Sequence, residues 1–364
     1  MILFTLRREQ RLSGEGASTR LLEEVLGELG IACDRPVELP AFRRVAQLRR
    51  VARQNASDTL LVKMPTAAQL PLAAWATREF RGRVVHWIDG LLWRTLPLAQ
   101  SAKLLMAEPL LSATRAMINT AAWLPLARTR ALEIVVASHT QRAEIARLLP
   151  YAKIHVIPNG SPSDEVANGA RREDASYHHD LASSTPAGCT PRRIGYLGHA
   201  YLTKGVWDLL AAHRLLRARG IAVPLVLALS GLGGARFRRA AARAGIEVFG
   251  KVNPREFFAS IDVLVAPLWA AWGTQTFPNV LLEALEAGLP VVTSDLPVCR
   301  ELFADSLAVF VPPHNPAALA ETLARVHAGA VELPASERLR AHFQAHYSKA
   351  RIAEGWRAIL QASS

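Results

Sequence analysis

Cysteine is scarce in this 364-residue chain. Its three cysteines, Cys33, Cys189 and Cys299, lie far apart, with no metal-ligand spacing and no even count for a disulfide framework. They predict free thiols in a reducing compartment. No uninterrupted apolar run reaches the ~20 residues that a membrane span needs. The opening "MILFTLRREQ" is too short and too soon charged for a secretory signal. A cytoplasmic protein is expected. Neither "SGEG" (13–16) nor "SGLGG" (230–234) makes a G-x-G-x-x-G fingerprint, and no P-loop occurs, which removes the common dinucleotide and triphosphate motifs.

What is present is a globular composition, half hydrophobic and one fifth charged, long enough for two domains. Of the net charge of +12, residues 1–160 hold +9, from 22 Lys/Arg against 13 Asp/Glu. The basic half therefore suits an anionic partner: a membrane surface, a phosphorylated acceptor or nucleic acid. "FRRVAQLRRVARQ" (42–54) sets Arg43, Arg44, Arg49 and Arg50 in pairs among apolar residues, as a basic helix on a surface would. Residues 104–126 are strongly apolar but interrupted by Glu108, Pro109 and Arg115, which suits interfacial binding better than a span. Packing of both segments into a core is the competing reading.

Short apolar strand candidates alternate with helical stretches throughout, which predicts an α/β fold with parallel sheets. In the first half the strands are "MILFTL", "TLLVKM", "RVVHWI", "EIVVAS" and "KIHVIPNG", and "LSGEGASTRLLEEVLGELG" runs from a glycine loop into a helix. Residues 161–191 lose the pattern and read as a linker or flexible loop. In the second half "RIGYLG", "PLVLALSG", "IEVFG", "DVLVAP", "LPVVTS" and "LAVFV" read as strands, with helices over 205–219, 235–244, 254–261, 278–288 and 316–327. The expected organisation is a domain over 1–160, the linker, a second doubly wound domain over 192–336, and a helical segment over 337–364 that reaches back to the first.

Two stretches carry chemistry. "LGHAYLTKG" (197–205) ends a strand and offers His199 and Lys204 where cations could hold a diphosphate, although an exposed lysine needs no such purpose. "QTFPNVLLEALEAGLP" (275–290) starts a helix near Pro278, with Leu281, Leu282, Leu285 and Leu289 at helical spacing. Its first turn leaves N–H groups for an anion, and Glu283 lies about one turn in. An ordinary amphipathic helix capped against a sheet would read the same way.

Together these stretches resemble the retaining glycosyltransferases of family 4, within glycosyl transferases group 1. The resemblance is ordered over 191–303: "YLGHAYLTKG", "VLALSGLGG", "IEVFGKVNPREFFASIDVLVAP", then the glutamate-bearing helix and "PVVTSDLPVCRELF". It is looser over "SGEGASTRLLEEVLGELG", "VVHWIDG", "VVASHTQRAEI" and "IHVIPNG". It implies the GT-B architecture, two Rossmann-like domains with a cleft between them. It also implies transfer of a sugar from a nucleotide-sugar to a glycan or lipid-linked acceptor.

By that resemblance Glu283 holds the donor ribose. Lys204 neutralises the diphosphate, with Phe277, Pro278 and the backbone N–H groups of Asn279 and Val280. Val252 lies near the base, Gly16 admits close backbone approach, and His86 and Asp89 face the reacting sugar. Two positions depart from the family pattern. Gln275 replaces a glutamate and cannot ionise, and His199 replaces an arginine and is charged only in part. No metal is expected, since the chain contains no Asp-x-Asp triplet, and no other cofactor. A nucleotide-sugar epimerase of the same two-domain plan, and a basic nucleic-acid or membrane-binding protein on an inactive glycosyltransferase scaffold, remain as other classes, though no recognition motif for nucleic acid stands out and none is expected as a partner. The charge points instead to a peripheral enzyme on the inner face of the plasma membrane, making lipopolysaccharide or another envelope polysaccharide.

Overall fold

The protein is described from a computed structural model over residues 1–5, 14–34, 43–54, 57–64, 67–90, 132–159, 192–229, 235–269 and 278–361. The apolar segment 104–126, the linker 161–191, Gln275 and Phe277 lie outside the described residues. Two compact units emerge: one from 1–159 with 347–361, the other from 192–269 with Asn279–His346.

In the first unit the apolar, β-branched runs form β1 (Ile2–Thr5), β2 (Thr59–Met64), β3 (Arg83–Ile88), β4 (Glu133–Val136) and β5 (Lys153–Val156). These pair in parallel in that spatial order. Asp34 bridges Ile2 on the far side of β1. The chain thus leaves β1 toward Asp34 and returns past it to β2, the reversal of a doubly wound sheet. α1 (Gly14–Glu28) places Leu22, Val25 and Leu26 at helical spacing against Leu3, Leu61 and Val85 on one face. α2 (Arg44–Gln54), α3 (Leu70–Ala76) and α4 (His139–Leu148) bury Leu48, Ala73 and Ile145 on the other.

The second unit holds β6 (Ile194–Gly198), α5 (Val206–Ala218), β7 (Leu225–Leu229), α6 (Ala235–Arg243), β8 (Glu247–Phe249), α7 (Pro254–Ala259) and β9 (Val263–Ala266). It continues through α8 (Asn279–Ala287), β10 (Val291–Ser294), α9 (Pro297–Phe303), β11 (Val309–Val311), α10 (Pro316–His327) and α11 (Ser336–His346). Its strands are parallel in the order β11-β10-β9-β6-β7-β8, the Rossmann arrangement. The fold is α/β, with two Rossmann-like doubly wound units.

Three local differences from the sequence reading have physical causes. The helical segment expected over 337–364 is two helices, α11 and α12 (Lys349–Gln361), with the Ser348 carbonyl accepting the Ile352 N–H at the start of the second. α12 belongs to the first unit. Trp356 packs edge-on against Trp87 at 5.1 Å, and Arg83 donates to the Ile359 carbonyl at 2.7 Å while gripping Glu133 with two 2.6 Å bonds. Lys349 and Arg357 pair with Glu24 and Glu28 of α1. Arg44, read as part of a surface array, is 2% exposed and donates to the Thr5 carbonyl at 2.8 Å. Pro278 precedes the helix expected to begin with it, since α8 starts at Asn279.

Candidate functional site

The order of the second sheet fixes where a ligand has room. The chain leaves β6 toward β7 but leaves β9 toward β10, and β6 and β9 are hydrogen-bonded neighbours. Connections that part in opposite directions leave a crevice beyond the carboxyl ends of those two strands. After β6 the sequence there runs "HAYLTKG", and after β9 it runs through Pro267, Leu268 and Trp269.

The lysine turn is held tightly. Leu202–Lys204 form one 3-10 turn, closed by Gly205 at φ 70°. A Cβ on Gly205 would stand 1.6 Å from the Pro267 carbonyl oxygen, so only glycine lets the turn approach the end of β9. Trp269 completes the clamp. Its backbone N–H donates to Thr203 at 3.1 Å, its indole N–H donates to Asp208 of α5 at 2.6 Å, and its ring meets His314 at 4.5 Å. Lys204 itself is half-buried, and burial pushes its ammonium down to about 8. No carboxylate pairs with it among the described residues. A desolvated, unneutralised cation at a switch point suits an incoming anion.

His199 follows β6 directly and is half-buried. Its carbonyl accepts the Tyr196 hydroxyl at 2.8 Å, and its ring lies 5.2 Å from Tyr201.

Across the crevice α8 opens with Asn279 and Val280, whose N–H groups have no earlier carbonyl within the helix to bind. The helix dipole adds positive potential there. The Asn279 Oδ1 is buried and accepts no hydrogen bond among the described residues. Glu283 follows one turn in. Burial, and then the charge of Glu286, raise its carboxyl to about 7. Glu283 also lines a cavity of about 570 Å³ that runs along α7 and α8, from Asn253 and Pro254 to Asp262, Gly288 and Pro290 at the amino ends of β9 and β10. Val252, half-buried, immediately precedes Asn253 at the start of α7. At its far end α8 stops at Gly288, φ 72°, where Arg340 donates to the Ala287 carbonyl at 2.8 Å.

His199, Lys204, Val252, Asn279, Val280 and Glu283 therefore all lie in the second unit, and Gly16, His86 and Asp89 in the first. Gly16 stands in the first turn of α1. His86 sits inside β3 rather than at its end, 2% exposed, on the face it shares with Val84 and Ile88. Burial holds its imidazole at about 4, only partly countered by the Glu133 backbone, so the ring is neutral at pH 7. Asp89 lies just beyond β3 and pairs with Lys63 at 3.2 Å, both side chains 3% exposed. Lys63 also donates to Thr19 at 2.7 Å and lies 4.3 Å from the Trp87 ring centre. The sequence reading missed Lys63, Trp269, Asp208 and the α7 residues. Only "VNPREFF", a capped helix start beside Val252, carried a readable signal.

Known proteins bear on the family likeness and the fold. Residues 191–328 match the model of the family described as Glycosyl transferases group 1. The O-antigen biosynthesis glycosyltransferase WclY of Escherichia coli is 28% identical over 101 residues, 28% of this chain and 27% of that relative. Among solved structures, Anabaena HepE in complex with UDP-glucose matches over 99% of both chains, with a TM-score of 0.65 and 16% identity. Sucrose-phosphate synthase from Thermosynechococcus elongatus matches over 100% of this chain and 99% of its own, at 0.68 and 16%. WaaG, a glycosyltransferase involved in lipopolysaccharide biosynthesis, matches over 97% and 98%, at 0.62 and 16%. At such identities the likeness to these structures is one of fold. Residues 191–328 are thus similar to the glycosyl transferases group 1 family, in a chain with the GT-B fold.

Proposed function

We propose that this protein is a retaining glycosyltransferase that moves a hexose from a nucleotide-sugar to a glycan or lipid-linked acceptor. The observation that carries this reading is Lys204, desolvated and without a carboxylate partner among the described residues, at the same switch point as the open start of α8. When the bond from the anomeric carbon to the diphosphate oxygen breaks, negative charge grows on that oxygen. Lys204 and the N–H groups of Asn279 and Val280 supply the opposing charge without a metal. Glu283 is the acceptor for the ribose hydroxyls, and a place for the base near Val252 rests on the family resemblance. Retention, and roles for His86, Asp89 and Gln275 toward the sugar, rest on the family resemblance.

The UDP-glucose bound to HepE makes a UDP-hexose the first donor to try. The O-antigen and lipopolysaccharide roles in the names of WclY and WaaG favour an envelope polysaccharide as the product. Such acceptors are made at membranes. Among the described residues no helix is long and apolar enough to cross one. The basic first half supports a peripheral position on the inner face of the plasma membrane. The experiment is a thermal-shift screen of UDP-, GDP- and ADP-sugars, then transfer in the presence of EDTA with the product anomer read by NMR. A stabilising donor and a retained anomer in EDTA are expected. No stabilising donor, dependence on added magnesium or manganese, or an inverted product overturns the proposal.

A further inference from the structure

The first unit carries an aromatic and aliphatic patch that its core does not explain. On α3, Leu70, Ala73, Ala74 and Ala76 are buried, while Leu72 and Trp75 stand 45% and 42% exposed on the outward stripe. α2 packs beside it and turns Ala46, Arg50 and Arg53 outward. Two guanidiniums lie over the Trp75 ring, Arg49 at 4.5 Å and Arg78 at 5.5 Å from its centre. Arg49, Arg53 and Arg78 share one carboxylate, Glu79, at 3.4, 2.5 and 3.5 Å. Arg50 has no ion pair among the described residues. The local balance is therefore strongly positive around two exposed apolar side chains.

We infer that this α2–α3 face is where the protein meets an anionic lipid surface, with Trp75 and Leu72 entering the headgroup boundary and the arginines meeting phosphates. This deepens the membrane part of the proposed function and rests on it. An indole is amphipathic and suits that boundary. Arginines can cover apolar surface with their stems while their heads stay with charge. Nucleic acid is the other anion, but it has no use for Leu72, and Arg49 already occupies a face of the ring on which a base would stack. Arg44, buried under Thr5, takes no part.

The test is co-sedimentation of the full chain with phosphatidylglycerol–phosphatidylcholine vesicles and with phosphatidylcholine alone. Expected is partition onto the anionic vesicles only, falling as salt shortens the range of the attraction. Arg50→Glu and Arg78→Glu should each weaken it about fivefold or more. Leu72→Ser with Trp75→Ser should weaken it at unchanged charge, while UDP-glucose still raises the melting temperature as in the wild type. That readout separates the surface from the donor site: loss of the UDP-glucose shift alone counts against the transferase reading, not this one. Equal partition onto both vesicles, no partition at low salt, or indifference to the Leu72/Trp75 pair overturns the inference. So does binding of a single-stranded oligonucleotide through the same arginines without vesicle binding.

Discussion

Trp269 donates its indole N–H to Asp208 Oδ2 at 2.6 Å, tying the end of β9 to the first turn of α5. Between these two residues in the fold runs the lysine turn, which Trp269 also binds through its backbone at Thr203. Trp269→Phe keeps the ring and removes that donor. A hydrogen bond to a charged group is worth about 1.5–3 kcal/mol, so stability should fall by up to that amount. Because the bond braces Lys204, kcat should fall more than KM rises. A loss confined to melting temperature, with kcat unchanged, would make the clamp structural only.

Gly205→Ala attacks the same turn from its backbone. The new methyl would need to displace the Pro267 carbonyl, 1.6 Å away, and would sit at positive φ. Strain at such a φ costs about 1–3 kcal/mol before the clash is counted. A folded variant with near-normal turnover would mean the turn can be rebuilt. Expected instead is a marked drop in melting temperature and in donor binding.

How much of this was legible in the sequence follows from the kind of signal each part leaves. Buried parallel strands are continuous apolar runs, and "TLLVKM" and "RVVHWI" are β2 and β3 residue for residue. The helix bearing Glu283 was legible because its leucines keep the helical period. α9 was not, since seven residues opening with proline are too few to display one. Charged residues mislead when they are buried. Arg44 reads as surface because its partner, the Thr5 carbonyl, is distant in sequence, and nothing in "TLLVKM" marks Lys63 as the partner of Asp89. Trp269 was lost for the opposite reason: in "APLWAAW" an indole looks like core.

That Arg44 is internal yields its own prediction. Arg44→Ala should destabilise the first unit by about 1.5–3 kcal/mol or more, through the Thr5 hydrogen bond and lost packing. Arg50→Ala, on the exposed side of the same helix, should stay within about 0.5 kcal/mol of wild type. Urea titration of the two variants decides. Equal stabilities would return Arg44 to the surface array.

Lys63 and Asp89 form a buried ion pair, whose members should behave differently alone and together. Lys63→Met leaves the Asp89 carboxylate buried without its ammonium, which typically costs about 3–5 kcal/mol. Lys63→Met with Asp89→Leu removes both charges and should cost less than the single change. If the double variant is instead as unstable as the sum of the singles, the pair contributes through other contacts than its charge.

The last prediction is a pH window for donor binding, set by two groups shifted in opposite directions. Glu283 rises from 4.5 to about 7 in the fold, by burial and then by Glu286. Between those values the native protein keeps a proton that the unfolded chain has lost, so this group costs stability as pH rises through the interval. Lys204 falls from 10.5 to about 8 by burial. Between 8 and 10.5 the unfolded chain holds the extra proton, so this group's cost diminishes as pH rises. Binding reverses both preferences, because a diphosphate favours the charged ammonium and a ribose diol donates to the charged carboxylate. Affinity for UDP-glucose should therefore be best between about pH 7 and 8, weakening on either side by up to about tenfold per pH unit. UDP-glucose is the right probe, since its diphosphate has no proton to lose near neutrality. Glu283→Gln should flatten the acidic limb and Lys204→Met the alkaline one, each at lower affinity. Calorimetric titration across this range checks both limbs. A flat profile in the wild type, or an alkaline limb that survives Lys204→Met, removes these two residues from the donor site.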